Sequence, residues 1–190
     1  MSDLEKDLFQ LQKKLRDKTL NKYDRVNPFV EDITDWKERG EYLFGKNKNI
    51  TVYNTCTVAG KVEVGENTWI GPYTALDGGM CGIKIGKNCS ISSGVNLIGH
   101  DSVKWALSGG EIPYEYGRIT IGDNCFIGTN AVITKGVTIG KHCLVGANAV
   151  VTKSFPDFSI ILGVPSILSG YVYIERDEVK LNYFSSENKK

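Results

Sequence analysis

The sequence is short of several features that define large classes of proteins. Its 190 residues carry 23 Lys and Arg against 22 Asp and Glu, a net charge of +1, so no basic excess indicates nucleic acid or an anionic membrane surface as a partner. No apolar run approaches the roughly 20 residues that cross a bilayer, and the N-terminus is unlike a signal peptide. Two histidines are too few for a three-histidine zinc site. We therefore expect a cytoplasmic protein with no transmembrane segment, no metal and no nucleic-acid partner.

Cysteine occurs five times, but not in the spacing of a disulfide framework or a metal cluster. A CxxC motif is missing, and so is the secretion signal that would place the chain in an oxidising compartment. Four cysteines fall at the same place of a six-residue repeat described below: Cys56, Cys89, Cys125 and Cys143. Because free cysteine behaves as a small buried hydrophobe, these four are predicted to pack inside the protein as thiols.

The stretch from Ile121 to Pro156 repeats with a period of six. Each of its hexads opens with Ile or Val, usually followed by Gly, and holds a small or medium residue at the fifth place in most cases. The fifth-place residues of the first five hexads are Cys125, Ala131, Val137, Cys143 and Ala149. Such short repeats are typical of a parallel β-helix, in which each repeat buries its face only by stacking on its neighbours. The predicted fold class is all-β.

Weaker hexads precede this stretch, and two interruptions divide them. The hexads begin at Val52, slip by three residues across the segment 77–82, and stop at a non-repetitive loop over residues 101–118. Interruptions of a repeat array cluster on one, often functional, face, and long irregular loops are uncommon unless they are functional. The β-helix domain is predicted over residues 50–170, with the loop extruded from it.

Both ends of the chain lie outside the repeats. Residues 1–49 are predicted to form a helix over about the first 20 residues, capped by Ser2 and Glu5, followed by a polar connector with one short helix at 31–39. Apolar residues recur on one side of the first helix at helical spacing: Leu4, Leu8, Leu11 and Leu15. We expect this side to pack against the domain or a neighbouring subunit. Residues 171–190 are predicted to be a mostly polar C-terminal tail.

His100 stands where the repeat ends and the long loop begins, directly after Gly99. A lone histidine is more often structural than catalytic, but function in repeat scaffolds concentrates at breaks in the array. His100 is therefore the candidate catalytic residue. The other histidine, His142, falls at the fourth place of a regular hexad, among outward-facing residues, and is predicted to lie on the surface.

The chain resembles the hexapeptide-repeat acyltransferases in its hexads from 52 to 156, its Gly99-His100-Asp101 break, the loop sequence Trp105-Ala-Leu-Ser-Gly-Gly and the segment 151–156. Within that family it is similar to the branch that acetylates sugars of surface polysaccharides, with the maltose and galactoside acetyltransferases as more distant relatives. The resemblance implies a left-handed β-helix with three hexads per coil, assembled as a homotrimer with active sites between subunits. It also implies acetyl-coenzyme A as the acyl donor and a saccharide or sugar nucleotide as the acceptor.

The outward residues of the hexads support an assembly. Val132, Leu144 and Val150 are apolar at outward places, and exposed apolar patches usually mark interfaces. The sequence therefore predicts a homotrimer.

The implied chemistry assigns a role to His100. A sugar hydroxyl is a poor nucleophile at neutral pH, so the enzyme must supply a base within hydrogen-bond reach, and histidine, with an ordinary pKa of about 6.5, suits that role. His100 is predicted to take the proton as the hydroxyl attacks the thioester carbonyl and to return it to the leaving thiolate. Backbone N–H groups are expected to stabilise the oxyanion. Asp101 and Glu115 are the candidates for orienting the imidazole.

The resemblance also implies the residues that bind the coenzyme. Those expected to line its channel are Phe126, Thr129, Ala147, Thr152 and Lys153. Relatives commonly carry an Arg or Lys for the coenzyme phosphates after the closing Gly-Val-Pro, where this chain has Ser166 and Ile167. Phosphate recognition is then expected from Lys153, Lys135, Lys141 or a neighbouring subunit.

The acceptor is expected to bind at the two interruptions. Asp77, at the frame slip, offers a carboxylate to sugar hydroxyls, and Trp105, in the long loop, offers a ring to the apolar face of a pyranose. The predicted function is acetyl transfer to a saccharide hydroxyl in surface polysaccharide (capsule or O-antigen) biosynthesis. Two alternatives stay open: N-acetylation of a nucleotide-linked amino sugar, which needs less help from a base, and a non-catalytic β-helix that serves as a scaffold or binding module.

Overall fold

The computed structural model describes residues 2–176 and 178–184. Its helices are α1 (Asp3–Tyr23), α2 (Phe29–Asp32), α3 (Trp36–Phe44) and α4 (Val103–Leu107). Its strands are β1 (Thr51–Val52), β2 (Thr57–Ala59), β3 (Val62–Val64), β4 (Trp69–Ile70), β5 (Ala75–Asp77), β6 (Ile83–Ile85), β7 (Ser90–Ile91), β8 (Asn96–Ile98), β9 (His100–Asp101), β10 (Glu115–Tyr116), β11 (Ile119–Ile121), β12 (Phe126–Ile127), β13 (Val132–Thr134), β14 (Thr138–Ile139), β15 (Leu144–Val145), β16 (Val150–Val151), β17 (Ser159–Leu162), β18 (Ile167–Glu175) and β19 (Glu178–Tyr183).

Three parallel sheets form the sides of a prism. Sheet 1 contains β1, β4, β7, β12, β15 and β17, sheet 2 contains β2, β5, β8, β13 and β16, and sheet 3 contains β3, β6, β11 and β14. Thr51 pairs with Trp69, and Phe126 pairs with Leu144, eighteen residues on in each case. One coil therefore holds three hexads, one in each sheet, which confirms the predicted parallel β-helix. We call the corner between sheets 2 and 3 corner 2/3, and name the other two in the same way.

The interior is filled by the first and fifth places of the hexads. Fully buried first-place residues include Ile70, Leu76, Ile91, Leu97, Ile127 and Ile133, and burying such a side chain stabilises the fold by about 1.5–3 kcal/mol. The four repeat cysteines are buried and free, as predicted. The thiols of Cys143 and Cys89, together with burial, raise the pKa of Cys125. These cysteines therefore act as packing residues.

The corners of the prism need left-handed backbone at the fourth place of a hexad. Asn124 and Asn130 supply it with φ values of 59° and 58°, since asparagine tolerates this region better than most residues. His142 occupies such a place with φ 56° at corner 3/1. Its ring stacks on Phe158 with centroids 4.9 Å apart, and its Nε2 lies 3.3 Å from Nδ2 of Asn124. His142 is thus one rung of a structural ladder along that corner.

Two short helices, rather than the single one expected, close the N-terminal end of the prism. The indole of Trp36 stacks on Tyr53 with centroids 4.1 Å apart. The Glu31 carboxylate is buried and accepts hydrogen bonds from the Trp36 indole (3.1 Å) and from the backbone N–H groups of Asn54 and Thr55 (both 2.8 Å). These bonds compensate the burial of its charge and fasten α2 and α3 to the first coil.

Helix α1 precedes this cap. Ser2 and Glu5 form the predicted capping box. The helix buries none of its residues, so the side chains of Leu4, Leu8 and Leu11 are exposed. Among the described helices, none combines the length and apolarity needed to cross a bilayer.

The C-terminal segment, expected to be a mostly polar tail, extends sheet 1 with two further strands. Strand β18 pairs antiparallel with β17, and β19 pairs antiparallel with β18. Val172 and Leu181 are directly opposite each other in the second pair and share one face of the resulting hairpin. Residues 185–190 of the expected tail lie outside the described residues.

Candidate active site

The two interruptions of the array meet at corner 2/3. The backbone N–H of Gly99 donates to the carbonyl of Asp77 (2.7 Å), and the N–H of Gly117 donates to the carbonyl of Gly99 (3.0 Å). A Cβ atom on Gly99 would lie 2.9 Å from the Asp77 carbonyl oxygen, so only glycine permits this approach. Glycine thereby fixes the backbone one residue before His100 against the end of β5.

His100 lies with one ring nitrogen against a carboxylate. Its Nδ1 is 3.5 Å from Oδ2 of Asp77, and the imidazole is 29% exposed. Oδ1 of Asp77 accepts a hydrogen bond from the N–H of Gly79 (3.0 Å), which orients the carboxylate. Among the described residues, Nδ1 has no hydrogen-bond partner, and such contacts often tighten only in a substrate complex. With Nδ1 turned to Asp77, Nε2 is the nitrogen left for chemistry.

Aromatic residues of the extruded loop surround the imidazole. Tyr114 lies parallel to His100 with centroids 6.0 Å apart, and Tyr116 lies at the same distance with a tilt of 33°. Trp105 contacts Tyr114 edge to face at 5.6 Å. Trp105 and the two tyrosines line an open groove of about 560 Å³, together with Met80 from the frame slip. The groove therefore offers aromatic faces beside a candidate base.

Asp101 and Glu115 face lysines rather than the imidazole. Oδ2 of Asp101 lies 2.6 Å from Nζ of Lys135, and Oε1 of Glu115 lies 2.6 Å from Nζ of Lys104. The hydrogen bond from Lys135 lowers the pKa of Asp101, and the hydrogen bond from Lys104 lowers the pKa of Glu115. Asp77 is the carboxylate that stands within ion-pair distance of His100 in the described part of the chain.

Comparison with known proteins identifies the family of this chain. A family model described as the hexapeptide repeat of succinyl-transferase matches residues 61–98 and 118–153, on either side of the loop. AntD, an N-acyltransferase from Bacillus cereus solved in complex with dTDP and 3-hydroxybutyryl-CoA, is 32% identical over 63% of this chain and 68% of its own, with a TM-score of 0.58. The chain belongs to the hexapeptide-repeat acyltransferases. This family implies a left-handed parallel β-helix, and the parallel sheets fit that fold.

Two further solved structures share the fold at lower identity. A hexapeptide-repeat-containing acetyltransferase from Vibrio cholerae O1 biovar eltor, VCA0836, solved with acetyl-coenzyme A, is 23% identical over 88% of this chain and 97% of its own, with a TM-score of 0.57. NeuO, described as a polySia-specific acetyltransferase, is 22% identical over 74% of this chain and 60% of its own, with a TM-score of 0.50. No curated protein matches the chain.

The structure divides the expected coenzyme residues of this acyltransferase into separate groups. Thr152 and Lys153 lie at corner 2/3, the corner that carries His100, one coil beyond Thr134 and Lys135. Thr129 and Ala147 lie at corner 1/2, exposed and one coil apart, and Phe126 stands on the outer face of sheet 1, 46% exposed. The outer face of sheet 2 separates the groups. At about 3.3 Å per residue, one six-residue side of the prism is roughly 20 Å wide.

The lysines expected to bind the coenzyme phosphates differ in whether they already contact a carboxylate. Nζ of Lys135 is already paired with Asp101, and Nζ of Lys141 lies 3.6 Å from Oδ2 of Asp123. Nζ of Lys153 lies 5.7 Å from the centroid of the Phe155 ring, and the Lys153 side chain is exposed. Ser166, at the place where the family resemblance implies a basic residue, is buried and donates to the carbonyl of Gly163 (2.8 Å). Ser166 is therefore a structural residue.

Sequence reasoning missed the proximity of Asp77 to His100 and the tyrosines beside the imidazole. A signal for the first existed, because adding the three-residue slip to the eighteen-residue coil places Asp77 opposite Ile98, two residues before His100.

Another cleft, of about 690 Å³, lies on sheet 3 between Phe44 and Lys87, and its lining includes no histidine. The described residues contain no cluster of His, Cys, Asp or Glu that could hold a metal ion.

Proposed function

We propose that this acyltransferase moves an acetyl group from acetyl-coenzyme A to a hydroxyl of a saccharide, with His100 as the general base. The observation that carries the proposal is the place of the imidazole: it lies at the break in the repeat, with Nδ1 against Asp77 and its ring beside the aromatic groove. An aromatic groove suits the apolar face of a sugar ring. Surface polysaccharide biosynthesis is the setting that its family resemblance favours.

The proposed reaction uses His100 twice. Nε2 takes the proton of the acceptor hydroxyl while the oxygen forms a bond to the thioester carbonyl carbon. The carbon–sulfur bond of the tetrahedral intermediate then breaks, and the imidazolium returns its proton to the coenzyme thiolate, so that charge and atoms balance. The Asp77 carboxylate, 3.5 Å from Nδ1, orients the ring and stabilises the imidazolium. Asp77 acts in this proposal as a positioning residue for His100 in place of the acceptor-binding role expected from sequence.

A homotrimer with sites between subunits is part of the proposal. One protomer carries His100, Thr152 and Lys153 at corner 2/3 but Thr129 and Ala147 at corner 1/2, across sheet 2. If sheet 2 of each copy faces the threefold axis, corner 1/2 of one copy meets corner 2/3 of the next, and the two groups form one channel. Val132 and Val150 are paired and only half-buried on that outer face, which suits an interface.

N-acylation of a nucleotide-linked amino sugar is a second candidate, favoured by the similarity to AntD, an N-acyltransferase solved with dTDP. An amine of lowered pKa needs less assistance from a base than a hydroxyl does. Replacing His100 therefore separates the two functions. It should abolish most O-acetylation and leave much of an N-acylation intact.

The direct test is the release of free thiol from acetyl-coenzyme A in the presence of sugars, nucleotide sugars and oligosaccharides. The proposal expects release that depends on an acceptor with free hydroxyls. Release that depends only on amino sugars would favour the second candidate. A purified protein that binds coenzyme A but turns over no acceptor in the panel would contradict both and favour a binding module.

A further inference from the structure

The base of the extruded loop is a two-stranded ladder that contains the candidate base itself. Strand β9 pairs antiparallel with β10, which places His100 opposite Tyr116 and Asp101 opposite Glu115. A ladder of two residue pairs is too short to be stable alone. Moreover, like charges directly opposite each other in an antiparallel pair are destabilising. Asp101 and Glu115 are such a pair, one residue from His100, so the ladder needs a compensating cation.

Lys135 supplies a cation to both strands from a different coil, whereas Lys104 of the loop pairs with Glu115 alone, at 2.6 Å. Its Nζ lies 2.6 Å from Oδ2 of Asp101 and 3.4 Å from Oε2 of Glu115, so one ammonium group contacts both strands. Its side chain is 27% exposed, and those of Asp101 and Glu115 are 33% and 39% exposed, so solvent and salt still screen this contact in part. The two carboxylates raise the pKa of Lys135, with the hydrogen bond to Asp101 as the largest cause. The lysine therefore stays charged at the loop base.

The backbone that carries Lys135 is anchored by the strand that precedes it. Lys135 directly follows β13, and β13 pairs in register with β8, the strand that leads into Gly99 and His100. Asp101 is also tied to the loop, because its Oδ1 accepts a hydrogen bond from the N–H of Val103 at the start of α4 (3.1 Å). A displacement of about 1 Å at a catalytic group can lower a rate by about 10²-fold. The loop base is where such a displacement would arise.

We propose that Lys135 is a positioning residue: it clips both strands of the loop base to the neighbouring coil and so holds the His100 imidazole in place beside Asp77 and the aromatic groove. This inference rests on the proposed role of His100 as general base. The proposal also gives Lys135 a different role from the one expected from the sequence, which was to bind the coenzyme phosphates.

The first test compares turnover in matched variants. K135M should lower kcat by about 10- to 100-fold, with the affinity for coenzyme A unchanged in calorimetry, and K135R should recover most of the loss. The control is K180M, because Lys180 also contacts two carboxylates, Glu175 at 2.9 Å and Glu178 at 3.2 Å, but on the C-terminal hairpin. K180M should keep wild-type turnover. A K135M variant that loses coenzyme affinity instead of turnover would overturn the proposal in favour of a phosphate ligand.

The second test does not depend on activity. Hydrogen–deuterium exchange of the peptide spanning residues 100–118 should become faster in K135M, and Asp101→Asn in the same chain should restore part of the protection, because it removes the repulsion that Lys135 neutralises and leaves the Lys104–Glu115 ion pair intact. Unchanged exchange in K135M would contradict the clip. If exchange responds as expected while the wild type turns over no acceptor, the contact of Lys135 with the loop base is supported and the proposed function is contradicted.

Discussion

The two histidines of this chain occupy two corners of the same prism, and their surroundings differ. His142 sits at corner 3/1, where no interruption occurs in the array after β3, and its ring continues a ladder of left-handed residues between Asn124 and Phe158. His100 sits at corner 2/3, where both interruptions occur, against the Asp77 carboxylate and the loop tyrosines. The regular corner uses its histidine to stack one coil on the next. The interrupted corner leaves a nitrogen available, as the proposed function requires and as is typical of breaks in a repeat array.

The largest expected effect comes from replacing His100, and the same replacement at His142 tests whether the two histidines differ in function. H100N should lower saccharide acetylation by about 10²–10⁴-fold, the usual contribution of a positioned general base, with little change in coenzyme affinity. The control, H142N, places at corner 3/1 the residue type that the neighbouring coil carries there, and should leave turnover unchanged. Thiol release under saturating acetyl-coenzyme A measures both. Equal effects of the two substitutions would mean that His100 is not the base.

The free energy of unfolding should depend on the regular repeats much more than on the extruded loop, which is the opposite of what we expect for activity. Ile133 is fully buried between Leu97 and Val151 of the adjacent coils, so I133A should lower the free energy of unfolding by about 2–5 kcal/mol. Ile112 is 46% exposed in the extruded loop, and I112A should change it by no more than about 0.5 kcal/mol. Urea unfolding at a fixed protein concentration makes the comparison. A similar cost at both places would show that the loop is an integral part of the core.

The acceptor side of the interrupted corner should respond more weakly than the base. Trp105 contacts Tyr114 edge to face and lines the groove, and one aromatic contact is worth about 0.5–1.5 kcal/mol, or roughly a 2- to 12-fold loss. W105A is therefore expected to lower kcat/KM for the saccharide by that factor while calorimetry with coenzyme A alone gives the wild-type affinity. An unchanged kcat/KM in a folded variant would place the acceptor outside the groove.

The same contrast separates what the sequence could predict from what it could not. The hexad period predicted the inward residues and the buried thiols because each coil repeats the environment of the last. The interruptions have no period, so their internal contacts could not be read in the same way. The orienting role was expected of Asp101 and Glu115, yet both face lysines. Asp101 is the neighbour of His100 in β9, and neighbouring side chains of a strand point to opposite faces. Glu115 pairs with Asp101 across the ladder and shares its face.

The N-terminal cap was unpredictable for a related reason. Glu31 lies in a segment of polar composition, and its burial depends on donors from the turn at Asn54 and Thr55, more than twenty residues further on. Nothing periodic links the two segments. Long-range hydrogen bonds of this kind become visible only when the chain is folded.

The smallest expected effect on stability concerns Tyr73, a corner residue that has left-handed backbone where two later coils carry asparagine. Tyr73 has a φ of 58° at corner 1/2, where Asn130 and Asn148 occupy the corresponding place of later coils with similar angles. Left-handed backbone is costly for a bulky side chain and tolerated by asparagine, and the Tyr73 ring is 61% exposed. Y73N should therefore raise the free energy of unfolding by about 1 kcal/mol, since the hydrogen bond from the residue 73 N–H to Oγ1 of Thr55 (3.0 Å) is kept. The reverse change, N130Y, should lower it by a similar amount. A Y73N variant that is less stable than the wild type in urea unfolding would contradict this prediction, and burial of the Tyr73 ring by a neighbouring copy in the proposed homotrimer would then be the explanation to test.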